Sequence, residues 1–146
     1  MLKGIPAIIP PELLKILAEM GHGDEITLGD ANFPGHSCCD TVVRMDGHGM
    51  PEILDAVLTL FPLDHYSAKP VALMQVMPGD QTKTPIWETY RQIVAKHDER
   101  VAACFEEVER FAFYERVKQR SVAVVMSGEG APYANLILKK GVIAKG

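Results

Sequence analysis

The chain has 146 residues, of which 47% are hydrophobic and 23% are charged, a composition that is ordinary for a globular protein. Its net charge of -4 comes without the basic stripe that neutralises phosphates, which argues against nucleic acid as a partner. No run approaches the roughly 20 apolar residues that a membrane span requires, so the composition also excludes a membrane protein. We therefore expect residues 1–146 to form a single domain.

The predicted elements alternate between helices and strands along the whole chain. In order, the sequence predicts a helix over 11–20, strands over 25–28 and 40–45, a helix over 51–61, a strand over 71–76, helices over 85–97 and 111–120, and strands over 121–126 and 135–139. Residues 100–108 fit a strand or a short helix equally well. This alternation predicts an α/β fold, a three-layer α/β/α domain with a largely parallel or mixed sheet.

Boundary residues support several of these elements. Gly21 suits a left-handed stop after the first helix, Pro51 suits the first turn of the second, and Thr84 is expected to cap the helix that begins at Pro85. Residues 33–35, Phe-Pro-Gly, predict a turn.

Three cysteines, two of them adjacent at Cys38 and Cys39, cannot supply a disulfide framework. The first six residues lack the apolar stretch and cleavage site of a secretory signal. We therefore expect reduced thiols and a cytoplasmic protein.

The densest polar cluster surrounds His22 and Asp30. His22 lies between two glycines, so its imidazole has little steric cover and can exchange protons near neutral pH; an ordinary solvated loop histidine fits the spacing better. Asp30 follows a predicted strand, where α/β sheets commonly hold ligands, and its carboxylate can accept sugar hydroxyls; a turn-forming aspartate fits nearly as well. If residues 22–30 ran straight, they would span about 26 Å. The loop must therefore fold back, or the site must draw on two subunits.

Further polar candidates lie in the second half of the chain. Arg110 precedes a predicted helix, where its forked donor could hold a polyhydroxyl ligand, whereas we expect Arg116 to lie in water. Tyr114 suits a pocket wall or the core equally. The tripeptide Tyr133, Ala134 and Asn135 could present a phenol, a backbone amide and a side-chain amide.

Read together, these segments resemble the fucose mutarotase branch of the ribose pyranase and fucose mutarotase family. The matching segments are Pro-Glu-Leu-Leu-Lys at 11–15, Met-Gly-His-Gly-Asp-Glu-Ile at 20–26, Asp-Ala-Asn-Phe-Pro at 30–34, Arg-Phe-Ala-Phe-Tyr-Glu-Arg at 110–116 and Leu-Ile-Leu-Lys-Lys-Gly at 136–141. The resemblance extends over nearly the whole chain, and the blocks at 20–26 and 110–116 are highly specific. The block at 110–116 is absent from the ribose branch, so the sequence sides with fucose.

The resemblance implies that His22 is the catalytic proton donor and that Asp30, Arg110 and residues 133–135 bind a monosaccharide. It implies no metal or cofactor, because ring opening needs only proton transfers. It also implies a homo-oligomer, commonly a decamer of two stacked pentameric rings, with sites near subunit boundaries. One departure is Ala134, where the family usually has glycine, and an added methyl there could crowd the ligand or require another backbone dihedral.

Two other functions compete with a mutarotase. A non-catalytic sugar-binding sensor would use the same pocket and differ only in lacking turnover. A metal hydrolase would draw on His22, Asp24, Asp30, His36 and His48, whose spacings match no zinc motif. Of the other histidines, only His36 is near enough to Asp30 in sequence to be a pocket residue; His48, His65 and His97 are expected to be surface or packing groups.

Overall fold

A mixed sheet of six strands lies between two layers of helices in the computed structural model, which describes residues 1–145. In chain order the elements are α1 (Pro11–Glu19), β1 (Glu25–Gly29), α2 (Gly35–Cys38), β2 (Val42–Met45), α3 (Met50–Leu60), β3 (Val71–Met74), α4 (Pro85–Ala95), a 3-10 helix (Val101–Cys104), β4 (Phe105–Val108), α5 (Arg110–Arg120), β5 (Ser121–Ser127) and β6 (Leu136–Lys139). Within residues 1–145, no helix is long and apolar enough to cross a membrane.

The strand order is β2-β5-β1-β6-β3-β4. Strand β6 runs antiparallel to both of its neighbours, β1 and β3, while the pairs β1–β5, β2–β5 and β3–β4 are parallel. The carboxyl ends of the five parallel strands therefore meet the start of β6 at one edge of the sheet, which we call the carboxyl edge. We call the opposite edge, where β1 begins, the amino edge.

Each face of the sheet carries its own hydrophobic core. Helices α1, α3 and α4 pack on one face, where Leu13, Leu54 and Tyr90 are fully buried. Helices α2 and α5 cover the other face, where Phe113 packs with strand residues that include Ile137. The alternation of side chains along β6 sends Leu136 and Leu138 to the first core and Ile137 to the second. The three-layer α/β/α architecture and the mixed sheet are thus confirmed.

Local differences from the predicted elements are small and have physical causes. The segment 100–108 contains both a 3-10 helix and strand β4, and the predicted turn at 33–35 leads into the four-residue helix α2. The left-handed residue after α1 is Gly23, with a φ of 84°, whereas Gly21 donates its backbone N–H to the Asp24 carboxylate. Thr84 makes no side-chain capping bond.

The expectation that Arg116 lies in water is wrong. Its side chain is only 16% exposed, and it forms a bidentate pair with Glu25, with Nε–Oε2 and Nη2–Oε1 distances of 3.1 and 3.0 Å. It also donates to Glu106 at 2.8 Å. Glu25 begins β1 and is 1% exposed, so the carboxylate on the sheet needs a cation from the α5 layer. Sequence periodicity did not reveal this pair, because its members are far apart in the chain.

Candidate active site

A cavity of about 210 Å³ opens at the carboxyl edge of the sheet. Its lining combines polar and aromatic side chains from β3, α5 and the segments that flank β1 and β6: Asp30, Asn32, Phe33, Met74, Arg110, Tyr114, Tyr133 and Asn135. A larger groove of about 560 Å³, formed by N-terminal residues, is lined by mainly apolar side chains with His48 at its margin. Convergent polar groups at the ends of parallel strands are typical of a ligand site, so the smaller cavity is the candidate.

Asp30 and Asn135 are tied together at the junction of β1 and β6. The backbone N–H of Asp30 donates to Asn135 Oδ1 at 2.8 Å, and the backbone N–H of Asn32 donates to Asp30 Oδ1 at 3.0 Å. Burial raises the pKa of the Asp30 carboxyl, against the lowering effect of nearby backbone N–H groups, including that of Ala134. A buried carboxylate with a raised pKa, facing a cavity, is typical of a functional group.

Tyr133 and Ala134 are held by side chains of α4. Trp87 Nε1 donates to the Tyr133 carbonyl and the Tyr90 hydroxyl donates to the Ala134 carbonyl, both at 2.7 Å. Tyr133 itself adopts the left-handed region, with a φ of 52°, and its hydroxyl donates to Asp80 at 2.6 Å. A backbone fixed at two consecutive residues presents the neighbouring side chains to the cavity in one arrangement.

Ala134, the departure from the family pattern, has no left-handed backbone: the positive φ falls on its neighbour Tyr133. Its methyl group is fully buried in the core on the α4 side of the sheet. The methyl is therefore accommodated by packing, without the different backbone dihedral that the sequence raised as an alternative.

The aromatic and cationic wall comes from the first turn of α5. Arg110 is the first residue of this helix, rather than preceding it as predicted, and Glu109 caps the helix by accepting from the backbone N–H of Ala112 at 2.9 Å. Arg110 Nε donates to the Tyr114 hydroxyl at 3.1 Å, and the guanidinium lies 5.7 Å from the centre of the Tyr114 ring. The guanidinium is thereby oriented across the cavity mouth.

Phe33 completes this wall, with its ring centre 5.8 Å from that of Tyr114. Gly29 makes the approach possible, because a Cβ built at position 29 would lie 2.9 Å from the Phe33 side chain. The glycine at the end of β1 thus allows Phe33 to fold back over the strand and line the cavity.

His22 lies at the amino edge, on the opposite side of the sheet from Asp30. Strand β1, whose five residues cover roughly 16 Å at about 3.3 Å per residue, separates the two. The loop does not fold back: Gly23 N–H bonds to the carbonyl of Lys140, and His22 Nε2 lies 2.9 Å from Asp64 Oδ1. Of the two arrangements that the sequence left open, only a site drawn from two copies of the chain can unite His22 with Asp30.

The imidazole of His22 is half exposed, while its partner carboxylate is buried. The two side chains are 43% and 7% exposed, and the ring of Tyr66 lies 5.1 Å from that of His22. Burial disfavours the charged form of Asp64, but hydrogen bonds from His22 and from the backbone of Tyr66 outweigh it and lower the Asp64 pKa. The exposed ring of His22 is thus held by a buried carboxylate.

An ion pair between Asp98 and Arg100 lies beside Asp64, because Arg100 also donates to the Asp64 backbone carbonyl. Asp98 is 2% exposed, and Arg100 binds it through Nη2–Oδ2 at 2.9 Å and Nε–Oδ1 at 3.1 Å. Burial opposes ionisation of Asp98, but the bonds from Arg100 outweigh it and hold the carboxyl pKa below its ordinary value.

The Asp98 pair predicts loss of stability in acid. A carboxyl whose pKa is lower in the folded state stabilises the fold above its unfolded pKa of about 3.9 and ceases to do so as the pH falls through the folded value. We expect Asp98→Asn to be less stable than the original chain at pH 7, and the difference to shrink below about pH 4. Urea unfolding of both proteins at pH 7 and below about pH 4 measures this difference in stability. A difference that stays constant with pH would contradict the role of the Asp98 carboxylate.

The remaining histidines lie away from the cavity. His36 is near Arg44, with Nε2–Nη1 at 3.4 Å, so the expectation that it could be a pocket residue is not met. His48 pairs with Glu52 and His97 with Asp55, at 2.9 and 2.8 Å. Over residues 1–145, no three His, Cys, Asp or Glu side chains gather in a way that could hold a metal ion, so the ligand set of the metal hydrolase alternative is not assembled.

Several candidate residues were not singled out from the sequence. Met74 lines the cavity at the end of the apolar run that forms β3, and the rule that sheets bind ligands at carboxyl ends could have indicated it. Phe33 and Asn32 lie in the segment 30–34 that carries the resemblance, but the sequence alone indicates no role for either side chain. Asp64 and Tyr66 carried no signal, because only the folded chain brings them beside His22.

Comparison with known proteins covers nearly the full chain. Residues 3–143 match the model of the RbsD / FucU transport protein family. The chain is 49% identical to the human protein named fucose mutarotase, over 98% of this chain and 95% of that protein. The crystal structure of FucU from Bifidobacterium longum superposes with a TM-score of 0.95 at 57% identity, covering 97% of this chain and 100% of that one.

A second solved structure carries a ligand. The fucose mutarotase from Streptococcus pneumoniae, crystallised in complex with L-fucose, superposes with a TM-score of 0.91 at 48% identity, over 98% of this chain and 100% of that one. The fold, the family match over residues 3–143 and this level of identity all indicate the same family. The chain therefore belongs to the RbsD / FucU transport protein family.

Proposed function

We propose that this protein is an enzyme that interconverts the α and β anomers of L-fucose, by acid–base opening and reclosure of the pyranose ring. The observation that carries this proposal is the cavity at the carboxyl edge, where Asp30, Arg110 and Asn135 converge with aromatic rings. The chain that builds it is about half identical, over its whole length, to proteins named fucose mutarotase.

The cavity has the size and chemistry for one monosaccharide. At about 210 Å³ it is smaller than the roughly 300–1,000 Å³ typical of sites for drug-sized ligands. The Asp30 carboxylate can accept two sugar hydroxyls and the guanidinium of Arg110 can donate to others. Asn135 already accepts the Asp30 N–H through Oδ1, so its side-chain NH₂ is directed to other acceptors. Phe33 and Tyr114 offer apolar surface for the C–H face and methyl group of a deoxy sugar.

Anomer exchange requires two proton transfers at one acetal centre. A proton is delivered to the ring oxygen and another is removed from the anomeric hydroxyl, so an acid and a base must flank the sugar. We assign the first role to His22 and the orientation of the hydroxyls to Asp30 and Arg110. Assistance at the anomeric oxygen falls to Tyr114 rather than Tyr133, because the Tyr133 hydroxyl already donates to Asp80.

His22 must come from a neighbouring copy of the chain. A contact between the amino edge of one copy and the carboxyl edge of the next is heterologous, and such contacts form a ring when the rotation between successive copies closes. The proposed enzyme is thus a ring-shaped homo-oligomer, with the decamer of two stacked pentamers as its expected form.

The two cores share one sheet, which supports treating residues 1–146 as one domain. The free thiols of Cys38, Cys39 and Cys104 support a cytoplasmic location.

Exchange NMR on the unmodified protein tests the proposed function. Micromolar protein should accelerate exchange between the α and β signals of L-fucose well above the spontaneous rate, without added metal or cofactor, and more than it accelerates exchange of galactose or ribose. The expected acceleration follows from the roughly 10²–10⁴-fold contribution of a positioned acid–base pair. Binding of fucose without accelerated exchange would instead support the sugar-binding sensor.

A further inference from the structure

His22 contacts an aspartate, Asp64, that is itself held by a network of hydrogen bonds. Asp64 Oδ1 lies 2.9 Å from His22 Nε2, and the same oxygen accepts the backbone N–H of Tyr66 at 3.0 Å. The backbone carbonyl of Asp64 in turn accepts from Arg100 Nη2 at 2.9 Å, and Arg100 Nη1 donates to the Ser67 carbonyl at 2.9 Å. Bonds from residues other than His22 therefore fix both the carboxylate and the backbone of Asp64.

Asp64 differs from the other carboxylates that contact a histidine in residues 1–145. Asp55, which pairs with His97, and Glu52, which pairs with His48, are 43% and 51% exposed, whereas Asp64 is 7% exposed. Asp98 is also buried, but its 3.8 Å separation from His65 exceeds hydrogen-bond length. Of these four contacts, the one between His22 and Asp64 joins an exposed imidazole, within hydrogen-bond distance, to a carboxylate that is buried and held by other bonds.

From this geometry we propose that Asp64 is a positioning residue for His22, which holds Nε2–H of the imidazole and thereby makes Nδ1 the nitrogen that exchanges protons with the sugar. This inference rests on the proposed function, in which His22 acts on a sugar bound by the neighbouring copy. With Nε2 engaged by Asp64, Nδ1 is the ring nitrogen left to meet that sugar.

The proton balance of the step is closed. Protonated His22 gives the Nδ1 proton to the ring oxygen as the bond between that oxygen and the anomeric carbon breaks, and the anomeric hydroxyl loses its proton to solvent water as the aldehyde forms. On reclosure the freed hydroxyl attacks the other face of the aldehyde and returns its proton to Nδ1, while the carbonyl oxygen regains a proton. Throughout the cycle Asp64 keeps its contact with Nε2 and gains no proton.

Two variants at position 64 and a matched control test the proposal. Asp64→Ala removes the acceptor, and we expect the turnover number for fucose anomer exchange to fall at least about 10- to 100-fold, the loss seen when the partner of a metal-bound histidine is removed, with KM within twofold. Asp64→Asn keeps an oxygen at the same place, so it should retain more activity than Asp64→Ala and should fold even if the alanine variant does not. Asp55→Ala breaks the comparable surface pair with His97 and should leave exchange unchanged.

Imidazole ¹⁵N NMR supplies a readout that does not depend on turnover. In the unmodified protein, neutral His22 should carry its proton on Nε2, and in Asp64→Ala the neutral form should redistribute between both nitrogens. A proton on Nδ1 in the unmodified protein, or an unchanged turnover number in folded Asp64→Ala, would overturn the proposal. If the unmodified protein does not accelerate exchange, the proposed function fails, while the tautomer still tests the role of Asp64 by itself.

Discussion

Replacement of His22 by glutamine should slow catalysed anomer exchange of L-fucose by about 10²–10⁴-fold, the contribution expected of a positioned general acid. Glutamine fills a similar space and keeps a polar group beside Asp64, but it cannot deliver a proton near neutral pH. The sugar cavity lies at the other edge of the sheet and remains intact, so fucose affinity should change little. Exchange NMR gives the rate, and a fucose titration gives the affinity.

His97→Gln is the matched control for this variant, because it removes an imidazole that also contacts an aspartate, at the protein surface. We expect its exchange rate to equal that of the unmodified protein. If His22→Gln exchanges fucose as fast as the control does, His22 has no part in proton transfer.

The second large effect concerns stability. Arg116→Met should lower the free energy of unfolding by about 3–5 kcal/mol, the usual cost of leaving a buried charge without its partner. Glu25, at 1% exposure, would lose both bonds from Arg116. Arg120 and Lys139, each 3.9 Å from Glu25 Oε1, remain as weaker partners and place the expected loss toward the lower end. Urea unfolding at one fixed protein concentration measures it, since oligomer stability depends on concentration.

The double variant Glu25→Met with Arg116→Met distinguishes an unpaired charge from a packing defect. Apolar replacement of both members of a buried pair is often neutral, so the double variant should recover most of the stability lost in the single one. Lys118→Ala, which breaks an exposed pair with Glu115, should cost less than about 1 kcal/mol. A double variant no more stable than Arg116→Met would mean that the loss arises from packing.

Periodicity predicted the architecture well because it depends on local patterns. The apolar run at 71–76 identified an inner strand, and helical spacing identified α1 and α4, which bury Leu13 and Tyr90. These residues fill the core that the pattern predicts. Helix α2 escaped prediction because its four residues are too few to show a helical period.

The candidate site was harder to predict, because distance along the chain does not report which side chains meet. Local reasoning could place Asp30 at a strand end, and it showed that His22 was too far away to join it without a reversal of the loop or a second subunit. The folded chain rules out the reversal, since His22 is held at the amino edge by Asp64. Asp64 and His22 are separated by 42 residues and come together because the backbones of Gly23 and Asp64 bond to Lys140 and Lys139, at the end of β6.

Ion pairs show the same limit. The sequence interpretation placed Arg116 in water on a helix that buries its aromatic residues, yet the residue faces Glu25, 91 positions earlier in the chain. The resemblance contributed what local patterns could not, namely that His22 and Asp30 act together. In the proposed enzyme, this joint action requires contact between the amino edge of one copy and the carboxyl edge of another.

Mixed oligomers of two inactive variants test the central claim most directly. His22→Gln keeps an intact sugar cavity, and Asp30→Asn keeps an intact imidazole. When the two are co-expressed with different tags and isolated as hybrids, about a quarter of the sites in a random heterologous ring should pair the intact cavity of one copy with the intact imidazole of the next. Fucose exchange should therefore return to about a quarter of the original rate in the hybrids. Hybrids with no more activity than either variant alone would contradict a site built from two copies.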